Sequence, residues 1–240
     1  MPIEKNASYK RILLKLSGEA LMGELKVGLH PPTVNKIASE IKKVHEKGIE
    51  VCLVIGGGNI FRGLQGSAQG MERTTADYMG MLATVMNSLA MQSELEKLNV
   101  HTRVISAIPM DQICEPYIRR RAVRHLEKNR VVIFASGTGN PFFSTDTAAV
   151  LRASEMKSDI IFKGTKVDGI YEEDPIKNPN AKKISEISYN DYLNQEIKVM
   201  DSTAISLAKD RSIPIIIFSI LNSSNIVDIV EGNGDYSIIR

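Results

Sequence analysis

The stretch Ile49-Glu50-Val51-Cys52-Leu53-Val54-Ile55-Gly56-Gly57-Gly58 decides the fold, because an apolar strand runs directly into three glycines. A near-continuous apolar run of this length is typical of a strand that is covered on both faces. Similar runs predict further strands at residues 11–16, 100–108, 131–135, 158–162, 213–220 and 236–239.

Segments with helical spacing of apolar residues lie between these strands. They predict helices at residues 33–46, 74–98, 117–128, 145–156, 188–193, 201–209 and 224–230. Strands that alternate with helices favour a parallel sheet with right-handed crossovers. We therefore predict an α/β fold, a three-layer αβα sandwich with a mainly parallel central sheet. Ligands of such sheets bind at the carboxyl ends of the strands.

The composition changes near Gly164, where Gly- and Thr-rich loops give way to a polar, turn-rich segment at residues 166–183. We expect one domain over residues 1–240, with an N-lobe at about 1–162 and a C-lobe at about 163–240. Both lobes would share one continuous sheet.

The overall charge and the aromatic content exclude several classes of protein. The net charge is only +2, so no general attraction to nucleic acid or to an anionic membrane is expected. Tryptophan is absent, which disfavours stacking of single-stranded nucleic acid. The first ten residues are polar, and no apolar run is long enough to span a bilayer. Cys52 and Cys114 fit no metal-binding spacing, and Cys52 is expected to be a buried, inert thiol, as suits a reducing cytosol.

Two short segments have the chemistry of phosphate binding. Lys15-Leu16-Ser17-Gly18 ends a strand, where a lysine would direct positive charge toward a ligand. The alternative is a solvated lysine at an ordinary strand end. The three glycines at 56–58 would let backbone N–H groups approach an anion, and Arg62 could bind phosphate oxygens with two hydrogen bonds. Neither common nucleotide-binding glycine pattern is present.

A third segment, residues 136–146, joins a strand to a helix and is rich in hydroxyl and amide groups. Phe142 and Phe143 could plug the core or form a wall of a pocket for a base. Asp146 could simply favour the positive end of the helix dipole, or it could orient Lys15.

A fourth segment, residues 163–175, contains the turn pair Asp168-Gly169. A plain hairpin would explain it. Alternatively, Tyr171 could stack on an adenine, and Asp174 could bind a ribose hydroxyl or lie near a metal ion.

Two helices have surfaces that need a partner or solvent. Apolar residues surround almost the whole of the helix at 74–98, which indicates burial on two sides and makes a subunit contact a natural second partner. Arginines at 119, 120, 121 and 124 give another helix a basic face. A solvated face is the ordinary interpretation, and an anionic effector site is the alternative.

Together these segments resemble the amino acid kinase superfamily and, within it, the bacterial UMP kinases. The similarity spans nearly the whole chain and is carried by residues 10–20, 56–63, 79–87, 138–143, 165–169 and 198–201. It implies an enzyme that transfers the γ-phosphoryl group of ATP to UMP, in the biosynthesis of pyrimidine nucleotides. The combination with Thr138-Gly139-Asn140-Pro141-Phe142-Phe143 is specific, since other superfamily members lack that segment.

The resemblance also implies roles for individual residues. ATP would be handled by Lys15, Leu16, Ser17, Gly18, Gly58, Arg62, Thr165, Tyr171 and Asp174. UMP would be held by Gly57, Asp77, Thr138, Gly139, Asn140, Pro141, Phe142, Phe143, Ser144 and Thr145, with Asp77 on the ribose. The catalytic set would be Lys15, Arg62, Asp146 and Asp201.

In this set Lys15 and Arg62 would neutralise charge on the moving phosphoryl group. Asp146 and Asp201 would order the lysine and the surroundings of a Mg²⁺ ion that nucleotide phosphates mainly hold.

The family similarity further implies a cytoplasmic homohexamer that UTP inhibits and that GTP can activate. The segment Gly23-Glu24-Leu25-Lys26-Val27-Gly28 lacks the aromatic residue that family members often have there. The departure concerns activation by GTP, because the family resemblance links this segment and its aromatic residue to that activation.

Two other functions remain open from the residues alone. One is a related kinase with a carboxylate or carbamate acceptor, for which an amino acid pocket would be needed. The other is a nucleotide-binding regulator on the same fold without catalysis. The joint presence of Lys15, Arg62 and Asp146 disfavours the regulator.

Overall fold

A nine-stranded sheet runs through the centre of the computed structural model, which describes residues 9–62, 70–173, 175, 177–178, 180–195, 197–221 and 225–240. The strands are β1 Arg11–Leu16, β2 Glu50–Ile55, β3 Thr102–Ser106, β4 Glu115–Pro116, β5 Val131–Ala135, β6 Ile160–Thr165, β9 Glu186–Ile187, β10 Ile215–Ser219 and β11 Ser237–Ile239. Their order in the sheet is β4-β3-β5-β2-β1-β6-β10-β11-β9. All neighbouring pairs are parallel except β10 and β11.

Helices cover both faces of this sheet, so the predicted three-layer α/β sandwich is confirmed. One face packs against α1 (Pro31–Glu46), α2 (Arg73–Lys97) and α7 (Asn225–Val230). The other packs against α3 (Arg119–Glu127), α4 (Thr145–Met156), α5 (Tyr189–Asn194) and α6 (Ser202–Arg211). A separate antiparallel pair joins β7 (Ile170–Tyr171) to β8 (Lys183–Ile184).

Most predicted elements differ from the observed ones by one to three residues at an end, and three agree at both ends. β1, β5 and α4 have the predicted ends. The strand predicted at 100–108 is shorter, because the Val100 amide still bonds to the carbonyl of Leu95 in α2, and the Ser106 hydroxyl turns the chain at Ile108. The helix predicted from residue 117 begins at Arg119, since the Tyr117 amide donates to the Ser106 carbonyl.

The strand predicted at 158–162 is observed as β6, which begins two residues later and ends three residues later than predicted. The Ser158 amide closes α4 by donating to the Ala153 carbonyl, and the strand then continues to Thr165. The expected lobe boundary at residues 160–165 falls on β6, which pairs with β1 on one side and β10 on the other. The sheet is therefore continuous across it. Within the described ranges, no helix combines the length and the apolar character needed to cross a bilayer.

Two buried asparagines hold the glycine turn after β2 against α2. Asn87 Nδ2 donates to the Gly56 carbonyl (2.6 Å) and to Asn59 Oδ1 (2.7 Å). Asn59 Nδ2 in turn donates to the Gly28 carbonyl (2.9 Å), and the Gly28 amide donates to the Asn59 carbonyl (2.8 Å). Both side chains are almost fully buried. This amide pair fixes the turn that follows the central strand.

We expect Asn87→Leu to lower the free energy of unfolding by roughly 3 kcal/mol, because the buried Gly56 carbonyl and Asn59 Oδ1 lose the donor that Asn87 Nδ2 supplies. Urea denaturation measures the change. Asn35→Leu, at an exposed position of α1, is the control and should change stability by less than about 0.5 kcal/mol. Equal effects of the two substitutions would contradict a specific role for the amide pair.

Candidate active site

A buried carboxylate lies between two lysines at the carboxyl ends of β1 and β6. Lys15 and Lys163 are register partners on these neighbouring strands and point to the same face of the sheet. Lys15 Nζ lies 2.7 Å from Asp146 Oδ1, and Lys163 Nζ lies 2.5 Å from Asp146 Oδ2. Both lysines are buried, with exposed fractions of 6% and 5%. Of the two interpretations of Asp146, the structure supports the contact with Lys15.

The electrostatics of this cluster keep it charged. Burial alone would raise the pKa of Asp146, but the two ammonium groups outweigh burial and hold that pKa at about 2. Burial and then the charge of Lys15 lower the pKa of Lys163 to about 8, against the opposing attraction of Asp146 and Asp201. At neutral pH two cations therefore share one anion, and the trio has a net charge of +1.

Two helix N-termini meet beside this cluster. Ser144 is the N-cap of α4, and its hydroxyl oxygen accepts from the amides of Asp146 and Thr147 (3.0 Å each). Asp201 is the N-cap of α6, where its Oδ1 accepts from the Ala204 amide (2.9 Å). The hydroxyls of Ser144 and Thr147 both donate to the Asp201 carboxylate. Asp201 thus holds the start of α4, while Asp146 is the residue that contacts Lys15.

The glycines at the strand ends differ in what they must accommodate. A Cβ on Gly18 would lie 2.4 Å from Asn59 Oδ1 and 2.6 Å from the Gly56 carbonyl oxygen. A Cβ on Gly57 would lie 2.7 Å from the Gly80 carbonyl oxygen in α2. These two glycines allow protein packing. At Gly58 the nearest atom would be Arg62 Nε at 3.8 Å, so this is the glycine of the three that leaves space for a ligand.

Arg62 and Lys166 share one carboxylate on the turn that follows Gly18. Arg62 forms an ion pair with Glu19, and Lys166 Nζ lies 2.9 Å from Glu19 Oε2. Arg62 Nε also donates to the Gly58 carbonyl (3.2 Å). All three side chains are partly exposed. Two solvent-accessible cations therefore lie next to the turn on which Ser17 and Gly18 are placed.

A cavity of about 130 Å³ is lined by the glycine turn, by α2 and by the loop before α4. Five residues of the expected UMP set line it: Gly57, Asp77, Thr138, Phe143 and Thr145. The other lining residues, to which the sequence analysis assigns no role, are Phe61, Gly80, Met81, Thr84 and Gly137. Gly80, Met81 and Thr84 lie in α2, where the pattern of apolar residues does not show which side chains face a cavity.

Asp77 is placed in this cavity by two partners. Its carboxylate accepts from Arg73 Nε (2.9 Å to each oxygen) and from the Phe142 amide (2.8 Å). Phe142 and Phe143 are 68% and 53% exposed, so the interpretation as a core plug is wrong. Phe143 lines the cavity, and Phe142 packs near the Arg73 guanidinium, 5.8 Å from its ring centre.

Gly139, Asn140, Pro141 and Ser144 belong to the 138–145 segment but do not line this cavity, and hydrogen bonds within the segment shape the loop. Thr138 Oγ1 donates to the Asn140 carbonyl and accepts from the Asn140 amide (3.2 Å each). Gly139 has φ +80°, which favours glycine, and a Cβ there would lie 3.2 Å from Ala107. Pro141 and Ser144 complete the segment, with Ser144 as the N-cap of α4.

A larger cavity of about 420 Å³ lies beside β7. Tyr171 lines it, and the Tyr171 hydroxyl donates to Asp168 Oδ1 (2.7 Å). Thr165 is not among the residues that line it. The Thr165 hydroxyl donates to the Val167 carbonyl (2.7 Å). Asp174 lies outside the described residues. The other lining residues are Val167, Gly169, Glu172, Glu173, Pro175, Lys177, Gln195, Ile197, Lys198 and Val199. The antiparallel pair β7–β8 is not the hairpin expected at Asp168-Gly169, because these two residues precede β7 and β8 lies beyond residue 175.

The cysteines and the basic helix have simpler outcomes. Cys52 is fully buried and burial raises the pKa of its thiol to about 12, which confirms an inert thiol. Cys114 is also buried. The arginines of α3 at 119, 120, 121 and 124 are exposed, as a solvated face requires. Their alternative role as an anionic effector site stays a prediction.

Comparison with known proteins places these features in a family. The model of the amino acid kinase family matches residues 10–219. Uridylate kinase of Cereibacter sphaeroides is 64% identical over 239 residues, which cover all of this chain and 97% of the relative. Uridylate kinase of Roseobacter denitrificans is 62% identical over 237 residues, covering 99% of this chain and 98% of the relative.

Solved structures agree with the sequence comparison. The crystal structure of UMP kinase from Bacillus anthracis superimposes with a TM-score of 0.92 at 41% identity, and the match covers 97% of this chain and 96% of that one. UMP kinase from Ureaplasma parvum gives a TM-score of 0.91 at 40% identity, covering 96% and 98% of the two chains. The chain therefore belongs to the amino acid kinase family and, within it, to the uridylate kinases.

Proposed function

We propose that this protein transfers the γ-phosphoryl group of ATP to UMP, giving ADP and UDP, in the biosynthesis of pyrimidine nucleotides. One observation carries the proposal beyond family membership: the Lys15–Asp146–Lys163 cluster is connected to both cavities. Thr145, next to Asp146, lines the smaller cavity, and the Val199 carbonyl, which accepts from Lys163 Nζ (2.5 Å), belongs to a residue that lines the larger one. An acceptor and a donor nucleotide in these two cavities would meet at the lysines.

Asp77 and Phe143 make the smaller cavity a suitable place for the ribose and the base of UMP. Asp77 offers a carboxylate for the ribose hydroxyls, and the half-exposed ring of Phe143 offers a face for a base. We assign UMP to this cavity, with the loop at 138–145 closing over it. The full proposed set is Gly57, Asp77, Thr138, Gly139, Asn140, Pro141, Phe142, Phe143, Ser144 and Thr145.

ATP fits the larger cavity and the turns next to the lysines. Tyr171 supplies an aromatic wall for the adenine, and the open space at Gly58 lies beside the Arg62 cation. We assign Lys15, Leu16, Ser17, Gly18, Gly58, Arg62, Thr165, Tyr171 and Asp174 to ATP. The two sets correspond to an N-lobe at about 1–162 for the acceptor and a C-lobe at about 163–240 for ATP.

The chemistry requires positioning and charge neutralisation. A phosphate oxygen of UMP attacks the γ-phosphorus in line, and the bond from that phosphorus to the bridging oxygen of ADP breaks. Lys15 and Arg62 place positive charge where the transferred group becomes most negative. The protein supplies no covalent nucleophile in this reaction.

We further propose that Mg²⁺ accompanies ATP. The ion would neutralise charge on the phosphates that bind it. Asp146 and Asp201 suit a supporting role, because the oxygens of Asp146 face two lysines and those of Asp201 accept from Ser144, Thr147 and Ala204. Nucleotide phosphates, with water, would then be the main ligands.

The test of the proposed function is a coupled assay of ADP formation with UMP, CMP, AMP and GMP as acceptors. We expect turnover with UMP to exceed turnover with each of the other three by at least about a hundredfold, because a pocket built for one set of hydrogen bonds rejects analogues that leave its polar groups unpaired. Amino acids and carbamate serve as further acceptors. ADP release with one of these, and none with UMP, would replace the proposal with a different kinase.

Lys15→Met should lower kcat roughly 100- to 1,000-fold, since it removes a preorganised charge from the transferred group. Circular dichroism should show an unchanged fold. Lys128→Met removes an exposed lysine at the end of α3 and is the control with full activity expected. A Lys15→Met enzyme with the wild-type rate would exclude the assigned role.

We also propose that the protein is a cytoplasmic homohexamer, with UTP as inhibitor and GTP as possible activator. Support for self-association comes from α2, where Tyr78, Leu82 and Met86 recur at every fourth position and are 43–55% exposed. Met79 lies beside them at 37% exposure. Since the opposite side of α2 packs on the sheet, this second apolar side suits a subunit contact.

Leu82→Glu should reduce the oligomer mass that multi-angle light scattering measures, because it places a charge within the proposed apolar contact. Leu25→Glu, which alters another exposed leucine outside α2, should leave the mass unchanged. Retention of the wild-type mass by Leu82→Glu would remove α2 from the proposed interface.

A further inference from the structure

Lys163 stands out because its charge is buried where the fold does not need one. Its neighbours on the same face, Ile161 in β6 and Ile217 in β10, are apolar and fully buried. Buried ion pairs rarely stabilise a protein more than apolar residues of similar size would. At this site the cost of burying charge is larger than for a simple ion pair, since two buried cations contact one carboxylate. Stability therefore gives no reason for a lysine at this position.

Lys163 connects the carboxylate that contacts Lys15 with a wall of the larger cavity. Its Nζ donates to Asp146 Oδ2 and to the Val199 carbonyl, both at 2.5 Å. Asp146 is the ion-pair partner of Lys15, and Val199 lines the larger cavity. Lys163 thus bonds to the orienting carboxylate and to a wall of the cavity assigned to ATP, while Lys15 remains on the side of Ser17 and Gly18.

We propose that Lys163 is a positioning residue for phosphoryl transfer, which shares the charge of Asp146 so that Lys15 keeps a net positive charge toward the phosphates. With Lys15 alone, Asp146 would neutralise the cation that it orients. With two lysines, the carboxylate can fix Lys15 in place and the cluster still has a charge of +1. The same ammonium group ties this cluster to Val199 and hence to the donor cavity. The inference rests on the proposed function.

The first test compares Lys163→Gln and Lys163→Arg by steady-state kinetics with UMP and ATP. Gln keeps a hydrogen-bond donor of smaller reach without charge, and Arg keeps the charge. We expect Lys163→Gln to lower kcat roughly 10- to 100-fold, the usual effect of losing a group that orients a functional side chain. The KM for ATP should rise, the KM for UMP should stay the same, and Lys163→Arg should retain most of kcat.

Arg152→Gln is the matched control for the loss of a buried cation. Arg152 is 4% exposed, lies later in α4 and forms an ion pair with Glu155 (2.7 Å). This substitution should lower the thermal midpoint and leave kcat unchanged. If Lys163→Gln behaves in the same way, Lys163 has only a structural role and the proposal is overturned. Equal loss of kcat in the Gln and Arg variants would also overturn it, because shape rather than charge would then matter.

If the Lys163→Gln variant folds poorly, a double-mutant cycle with Asp146→Asn still tests the positioning role of Lys163. The neutral side chain of the Asp146→Asn variant no longer needs two cations, so the doubly substituted chain avoids an unpaired carboxylate charge. Because Lys163 acts through Asp146, adding Lys163→Gln to Asp146→Asn should change kcat by less than about twofold. A further tenfold loss would contradict action through Asp146.

The outcome separates this inference from the proposed function. A wild-type chain that forms no ADP with UMP overturns both. An active wild-type chain whose Lys163→Gln variant has full kcat overturns only the role of Lys163.

Discussion

The ion pairs of Asp146 with Lys15 and Lys163 are the interactions on which the site depends. They join β1, β6 and α4 at one point, and through Ser144 and Asp201 they extend to α6. The sheet places the two lysines in register, and the helix start places the carboxylate between them. A geometry of this kind needs three elements to pack correctly at once, so the site forms only when the sandwich is complete.

The two cavities have different walls. The smaller one is built from the glycine turn, α2 and the loop before α4, which all lie within residues 57–145. The larger one is built from the segments around β7 and before α6. A continuous sheet supports both, with β1 at its centre and β6 next to it. Such a rigid base lets the loops differ in composition while the reacting groups keep their separation.

Much of the fold could be predicted because apolar runs and helical spacing report burial directly. β1, β5 and α4 are the clearest cases, and the order of strands and helices was enough for the three-layer class. The short strands β4, β7, β8 and β9 could not be predicted, since two polar or mixed residues have no periodicity. Element ends that depend on single backbone hydrogen bonds, as at Val100 and Tyr117, were also missed.

The site could be predicted only in part for a related reason. Lys15, Asp146 and the glycine turns occur in polar, glycine-rich segments that are conspicuous in a sequence. Lys163 falls just after the strand predicted at 158–162, at the start of a polar segment, and its pairing with Lys15 depends on the alignment of β1 and β6. The roles of Gly18 and Gly57 were also hidden, because the atoms that exclude a Cβ there come from residues distant in sequence.

The register of Lys15 and Lys163 has a consequence for how the chain folds. Side chains alternate along β6, with Phe162 in the apolar layer under α1 and Lys163 on the opposite face beside Asp146. A slip of one residue between β1 and β6 would turn Phe162 toward the carboxylate and push an ammonium group into the apolar layer. Misaligned pairing of β1 with β6 is thereby strongly disfavoured. The charged cluster therefore helps to specify the alignment of these two strands during folding.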